Sequence, residues 1–303
     1  MSTAPVLSDP EPGAAPDTMA AGQPAVRQAL RVFAENRLAA IGLAMIVLIA
    51  LFCFLGPHLW HTDQIHNDIL NANQRPSRDH PLGTDPVGYD VLGRLMVGGQ
   101  TSLEVAFGAA VLAVILGTLW GAIAGFVGGM LDGFMMRIVD ALLAIPALFL
   151  LLFLAAVTTP SVWMLIFVLG GIAWLAPARL VRGEVLTLRT SEYVQAVRVM
   201  GGGPVRIVLR HIVPNTIGVV VVNATFQVAD AILIVAALSF LGLGIPPPAA
   251  NWGGMLTEGL NFVYSGYWWL IYPPGIAIVI TVVAFNFIGD ALRDAFEVRL
   301  RQR

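Results

Sequence analysis

Long apolar runs separated by short polar breaks dominate the chain. A helix needs about 20 mainly apolar residues to cross the hydrocarbon core, because lipid leaves every backbone polar group to be satisfied inside the helix. Six runs qualify, at roughly 38–56, 102–127, 134–158, 161–181, 217–242 and 271–291. Only Thr158, Thr159, Pro160 and Ser161 separate the third from the fourth, enough for a tight turn. Pro146 falls inside the third run and predicts a kink, since it removes a hydrogen bond and crowds the preceding turn. The sixth run follows Tyr272, Pro273 and Pro274, which suit a first helical turn. Residues 1–25 are rich in Pro, Ala, Gly and Asp, carry no apolar region, and read as a disordered tail rather than a signal peptide. The organisation expected is an all-α integral membrane protein. Its parts are that tail, a segment with the first span (26–56), a loop (57–100) and a transmembrane core (101–300).

Between the fourth and fifth runs the pattern changes. Residues 192–215 alternate arginine with apolar residues around Gly201, Gly202 and Gly203. Val205, Val208, Leu209 and Ile212 fall at i, i+3, i+4 and i+7, while Arg206 and Arg210 point elsewhere, so an amphipathic helix is predicted after Pro204. The helix before the glycines carries Val194, Val197 and Met200 on its apolar face. Such a segment between spans is a docking surface for a second, cytosolic protein. It resembles a DNA-binding helix-turn-helix only superficially, and spans on both sides rule nucleic acid out.

Polar positions inside the apolar runs are few. Asn223, Gln227 and Asp230 fall at i, i+4 and i+7 on the fifth, one stripe that must face protein or water because a mid-bilayer charge costs about 3 kcal/mol on insertion scales. It reads as lining a translocation pathway, with an interhelical hydrogen-bonded contact as the alternative. Asp140 and Asp290 are expected to pair with Arg137 and Arg293 three residues away. Gly117, Gly121 and Gly125 recur every fourth residue of the second run, which predicts close helix packing within the bundle or against a partner.

Composition supports the membrane reading: 57% of residues are hydrophobic and 12% charged, against about 25% charged in soluble domains. The chain has no lysine, so its 17 Lys and Arg positions are all arginine. Placing the N-terminus inside leaves only Arg75, Arg78 and Arg94 outside, so the positive-inside rule puts both termini in the cytosol. Trp60, Trp252, Tyr267, Trp268 and Trp269 then fall at the outer interface, where aromatic belts lie. A phosphate-binding loop needs its lysine to reach the β- and γ-phosphates, so ATP hydrolysis belongs to another chain. His58, His61, His66 and His80 lack ligand spacing, Cys53 stands alone, and neither a metal site nor a catalytic group is expected.

Seven segments in order resemble one family: His80–Arg94, Gly125–Gly129, Asp140–Pro146, 192–215, Leu238–Gly244, Asn251–Leu256 and Gly289–Asp294. The chain resembles a C-type permease subunit of the dipeptide/oligopeptide (and nickel) ABC importers, over about residues 25–300. The resemblance implies a six-span type I ABC importer permease (MetI-like) fold in a bacterial inner membrane. It also implies a B-type permease partner, one or two ATP-binding subunits that hold ATP and magnesium, and an external solute-binding protein. In that family 192–215 corresponds to the helices that couple to the ATPase, carried here by Glu192, Tyr193, Gln195, Ala196, Arg198, Gly201, Val205, Val208, Leu209, Ile212 and Pro214. The chain departs from the family pattern at Gln195-Ala196-Val197. It also has Val235 where many relatives have a carboxylate, and carries one at Asp230 instead. The rival reading is an ion-gradient-driven carrier that titrates Asp230 and Asp140, although no internal repeat is found.

Overall fold

A computed structural model describes residues 35–301 together with Phe33, with side chains as far as Phe296. The tail at 1–25, Arg27, Arg31 and the arginine side chains beyond 296 lie outside the described residues. Within them the chain forms helices α1 (Arg37–Leu59), α2 (Val91–Val127), α3 (Gly129–Leu143), α4 (Ala147–Val157), α5 (Val162–Ala173), α6 (Leu175–Leu188), α7 (Glu192–Val199), α8 (Pro204–Phe240), α9 (Trp252–Leu260) and α10 (Tyr272–Arg301). Four of the described helices are long and apolar enough to cross a membrane, and two bent pairs bring the number to six.

The helix ends follow local chemistry. Asn36, Asp90, Ser161 and Asn251 each accept an orphan N–H of the first turn, capping α1, α2, α5 and α9. Gly128 and Gly129 adopt φ of 71° and 61°, a left-handed turn that β-carbons disfavour, so α2 can reverse directly into α3.

Proline shapes the two bent pairs. Pro146 takes the kink expected of it, and α3 and α4 meet at 76°. The fourth run is also bent, by 42° at Trp174. Pro177 has no N–H to give the carbonyl of Ala173, so the ladder opens there.

Other expectations shift. The second run begins at Val91 rather than 102, because Asp90 caps it and Gly98 and Gly99 let it press against Asn251, Cys53 and Trp252. The loop after α1 is therefore shorter than 57–100. The fifth run reaches back to Pro204, so the second amphipathic helix and the span are one rod.

At the centre α2 packs against α5, α6 and α8, while α10 joins α8 to α1. Val105, Ala106, Ala109, Leu165, Ile232 and Trp252 are buried there. Along the α2–α6 seam Gly117, Gly121 and Gly125 face Pro177, Ala178 and Arg182 so closely that no β-carbon fits. The glycine repeat is thus packing within the chain. Exposed Leu48, Ile115, Phe153, Trp163 and Val279 clothe the outside, as a lipid-facing bundle requires.

Candidate functional site

The segment 192–215 sits at the arginine-rich end of the bundle. Gly201, at φ 84°, turns the chain out of α7, and Gly203 leads into α8 with Pro204 in its first turn. The expected apolar face divides. Ile212 is fully buried with Val194 and Ile207 against Ala122, Val181 and Val185 of the chain's own core. It therefore cannot belong to a docking surface. The cause is a π-turn over Val208–Ile212, closed by the Val213 N–H on the Val208 carbonyl. Its wider coil brings Ile212 onto the side of Ile207.

Val205 (69%) and Leu209 (62%) stay exposed, joined by Val199 (88%) and Met200 (78%), and Val208 is half-buried. Glu192, Tyr193, Ala196, Arg198, Gly201 and Pro214 do not line the buried core, and the Gln195 amide donates to the Arg189 carbonyl at 3.0 Å. What remains is an apolar tip ringed by arginine.

A clamp ties the helix that precedes this tip to the neighbouring helices. A turn over residues 189–191 joins α6 to α7, and Arg182 on α6 donates to both Asp132 oxygens on α3 at 2.5 and 2.7 Å. Asp140 pairs with Arg179 of α6, not with Arg137 as its spacing predicted. The turn at Gly128 and Gly129 brings α3 back onto the bundle, where Met135, Met136 and Val139 pack with Ala124, Leu175 and Ala178, so a cross-helix cation outcompetes the one on its own helix. No ion pair joins Asp290 to Arg293 among the described residues. Arg189 closes the set by donating to the Gly125 carbonyl at 3.0 Å. Sequence reading missed this clamp, although Arg179, Arg182 and Arg189 stand at helical spacing.

The polar stripe divides as well. Gln227 and Asp230 line a cavity of about 540 Å³ between α8, α2 and both helix breaks. Asn223 lines a separate cavity with Phe226, Arg293 and Phe296, and its Oδ1 is buried with no partner. Gln227 donates to the Ala173 carbonyl at 3.0 Å. That carbonyl is the one Pro177 leaves open, so the amide caps the break.

At the opposite, loop end, residues 80–94 form a strap over the start of α2. Asp90 caps α2 through the Gly93 N–H at 2.7 Å, and its carboxylate also meets His80 at 2.9 Å and the Trp60 indole at 3.3 Å. Arg94 lies 4.2 Å above the Tyr89 ring, donates to the Pro248 carbonyl at 2.8 Å and sits 3.6 Å from Asp85. Burial pushes the carboxyl of Asp85 up, against the N–H donors of Tyr89 and Val87 and the charge of Arg94. Burial raises that of Glu258 too, with Arg94 opposing. Trp269 fastens the strap by donating to the Thr84 carbonyl at 3.2 Å, and Trp252 pins α2 by donating to the Leu95 carbonyl at 2.9 Å. Thus Trp252 and Trp269, expected at an interface, are buried pins. Among the described residues no cluster of histidine, cysteine and carboxylates has the makings of a metal site.

The described chain is a bundle of apolar helices with two broken pairs, a cavity between the breaks and an exposed apolar tip, and comparison identifies its class. Residues 117–302 match the binding-protein-dependent transport system inner membrane components, and residues 25–76 match the N-terminal transmembrane domain of oligopeptide transport permease C. The chain belongs to that family of inner-membrane transport components, and is a multi-pass membrane protein. It is 41% identical to the oligopeptide transport system permease protein of Bacillus subtilis, over 91% of this chain and 90% of the relative. It is 40% identical to that of Escherichia coli K12, over 91% of each, and 37% identical to the dipeptide transport system permease protein of Bacillus subtilis, over 91% and 86%. Broken helices are a feature that ion-driven carriers share, but membership of this family sets that rival aside.

Proposed function

We propose that the chain is one of two membrane-spanning halves of an ATP-driven importer, and that its cargo is peptides. The observation that carries this reading is the tip at 192–209. It leaves Val199, Met200, Val205 and Leu209 uncovered at the end of a rod that continues into the cavity wall. An apolar helix face of this kind fits a groove on another protein. The relatives' names, oligopeptide and dipeptide permeases, support peptides as cargo.

In this reading the tip and both termini lie in the cytosol, and the strap at 80–94 faces outward to a solute-binding protein. Separate subunits hold ATP and magnesium. When they close, the tip moves with them. The rod of α8 and the Arg182–Asp132 clamp carry that motion to the two helix breaks, and the cavity beside Gln227 and Asp230 turns from one side of the membrane to the other as a rigid-body alternation.

The test is purification through a tag on this chain and reconstitution of what accompanies it. ATPase subunits and a second permease should co-purify, and a peptide-loaded binding protein should raise ATP hydrolysis and drive uptake. Uptake by this chain alone, powered by an ion gradient, would overturn the reading.

A further inference from the structure

The cavity between the two helix breaks has an uneven chemistry. Its walls are Ala, Leu, Ile and Pro, and the polar exceptions are Gln227 and Asp230, one turn apart on α8. Asp230 is the ionisable residue of that lining, exposed at its open side, and no hydrogen bond or ion pair among the described residues occupies it. Gln227 spends an N–H on the Ala173 carbonyl at 3.0 Å, which orients the amide and leaves its carbonyl oxygen as an acceptor. The site therefore offers acceptors and one negative charge, with no cation of its own.

We propose that Asp230 and Gln227 bind the free ammonium group of the cargo, so that the membrane chain itself selects molecules with an unblocked amine beside apolar side chains. The proposal rests on the cavity being part of the pathway. An ammonium brings three donors and a positive charge, which the carboxylate and the amide oxygen can take while the apolar walls hold the side chains. A volume of about 540 Å³ lies within the range of small-ligand sites, roughly 300–1,000 Å³. A metal ion fits less well. Calcium takes 6–8 oxygen ligands, and transition metals favour imidazole or thiolate donors. The cavity supplies one carboxylate and one amide, and no metal-ligand cluster exists among the described residues.

The experiment uses the whole complex that co-purifies with this chain, in detergent and without binding protein, so that no other recognition site for the amine intervenes. Equilibrium binding of radiolabelled trileucine and N-acetyl-trileucine is compared for wild type, Asp230→Asn and Asp230→Glu, on the assembled fraction. Loss of a hydrogen bond to a charged group is worth roughly ten-fold or more in affinity. Wild type should prefer the free amine by about that factor, Asp230→Asn should lose the preference, and Asp230→Glu should keep part of it. Equal binding of both peptides by wild type, an unchanged preference in Asp230→Asn, or no detectable binding of either peptide overturns the proposal.

A second measurement separates this failure from failure of the pathway reading. Leu233→Cys, in a chain with Cys53→Ala, lies in the same cavity wall. If a thiol reagent blocks peptide uptake there while the amine preference is missing, the cavity is the pathway and only the ammonium site is wrong. If modification leaves uptake intact, the pathway reading has failed with it.

Discussion

A single methyl group on Gly121 tests the seam that holds the bundle together. A β-carbon built there lands on the Ala178 carbonyl oxygen of α6, 2.9 Å from the Arg182 nitrogen and 3.0 Å from the Val181 β-carbon. Ordinary contacts begin at 3.4 Å, and these neighbours are mostly helix backbone that cannot rotate away. Helices α2 and α6 must then part by about an ångström, which loosens Gly117 on Pro177 and Gly125 on Arg182 as well. Overpacking of this kind costs about 1–3 kcal/mol, and the better helix propensity of alanine returns at most about 1 kcal/mol. A net loss of ~1–2 kcal/mol should lower the melting temperature of the detergent-solubilised chain by several degrees, at roughly 2–4 °C per kcal/mol for a domain of 150–250 residues. Gly183→Ala on α6 is the control, for nothing lies within 4 Å of its β-carbon. It should be neutral or slightly stabilising. If Gly121→Ala melts with wild type, and Gly121→Val does too, the seam is not the close packing described.

Further outcomes can be measured on the same preparation. Leu209→Asp places a charge on the exposed tip, so the chain should fold and melt normally while ATPase subunits no longer co-purify; Ile212→Asp should instead unfold the chain, because that site is fully buried. A double-mutant cycle on Asp132 and Arg182, with each changed to Ala, should give a coupling of about 1–3 kcal/mol in thermal melts; additive effects would show the clamp to be idle. Burial holds Asp85 and Glu258 above their ordinary values of 3.8 and 4.5. A raised acid is stabilising below its unfolded value, and that stability is lost as pH rises through the folded one. The melting temperature should therefore decline as pH is raised from 3.8 upward, and Asp85→Asn, which keeps an oxygen for the Tyr89 N–H, should flatten the decline. An unchanged slope would place the pH dependence elsewhere. Finally, with Cys53→Ala, a cysteine at Asp68 should react with an impermeant thiol reagent on intact cells and one at Thr190 only after lysis; the reverse would invert the orientation.

The six apolar runs, the bend at Pro146 and the glycine seam were legible in the sequence, whereas the starts of the second and fifth runs were not. Each legible feature depends on an interaction short along the chain. A helix in lipid must satisfy its own backbone, a proline breaks its own turn, and small residues at i+4 share one helix face. The turn at Thr158–Ser161 was legible for the same reason. Tertiary structure decided what depends on separate segments meeting. Asp140 chose Arg179 over Arg137 because α3 packs against α6 through Met135, Val139, Leu175 and Ala178. Ile212 left the exposed face of its helix because a π-turn, invisible to a 3.6-residue period, rotated it onto the core beside Ile207. The stripe of Asn223, Gln227 and Asp230 was correct as a row on one helix. It became two sites because the neighbours around that row differ: the opened carbonyl of Ala173 beside Gln227, and Phe226 and Arg293 beside Asn223. Periodicity places a residue on a face of its helix. Which neighbour covers that face depends on how the helices cross, and only the folded bundle settles it.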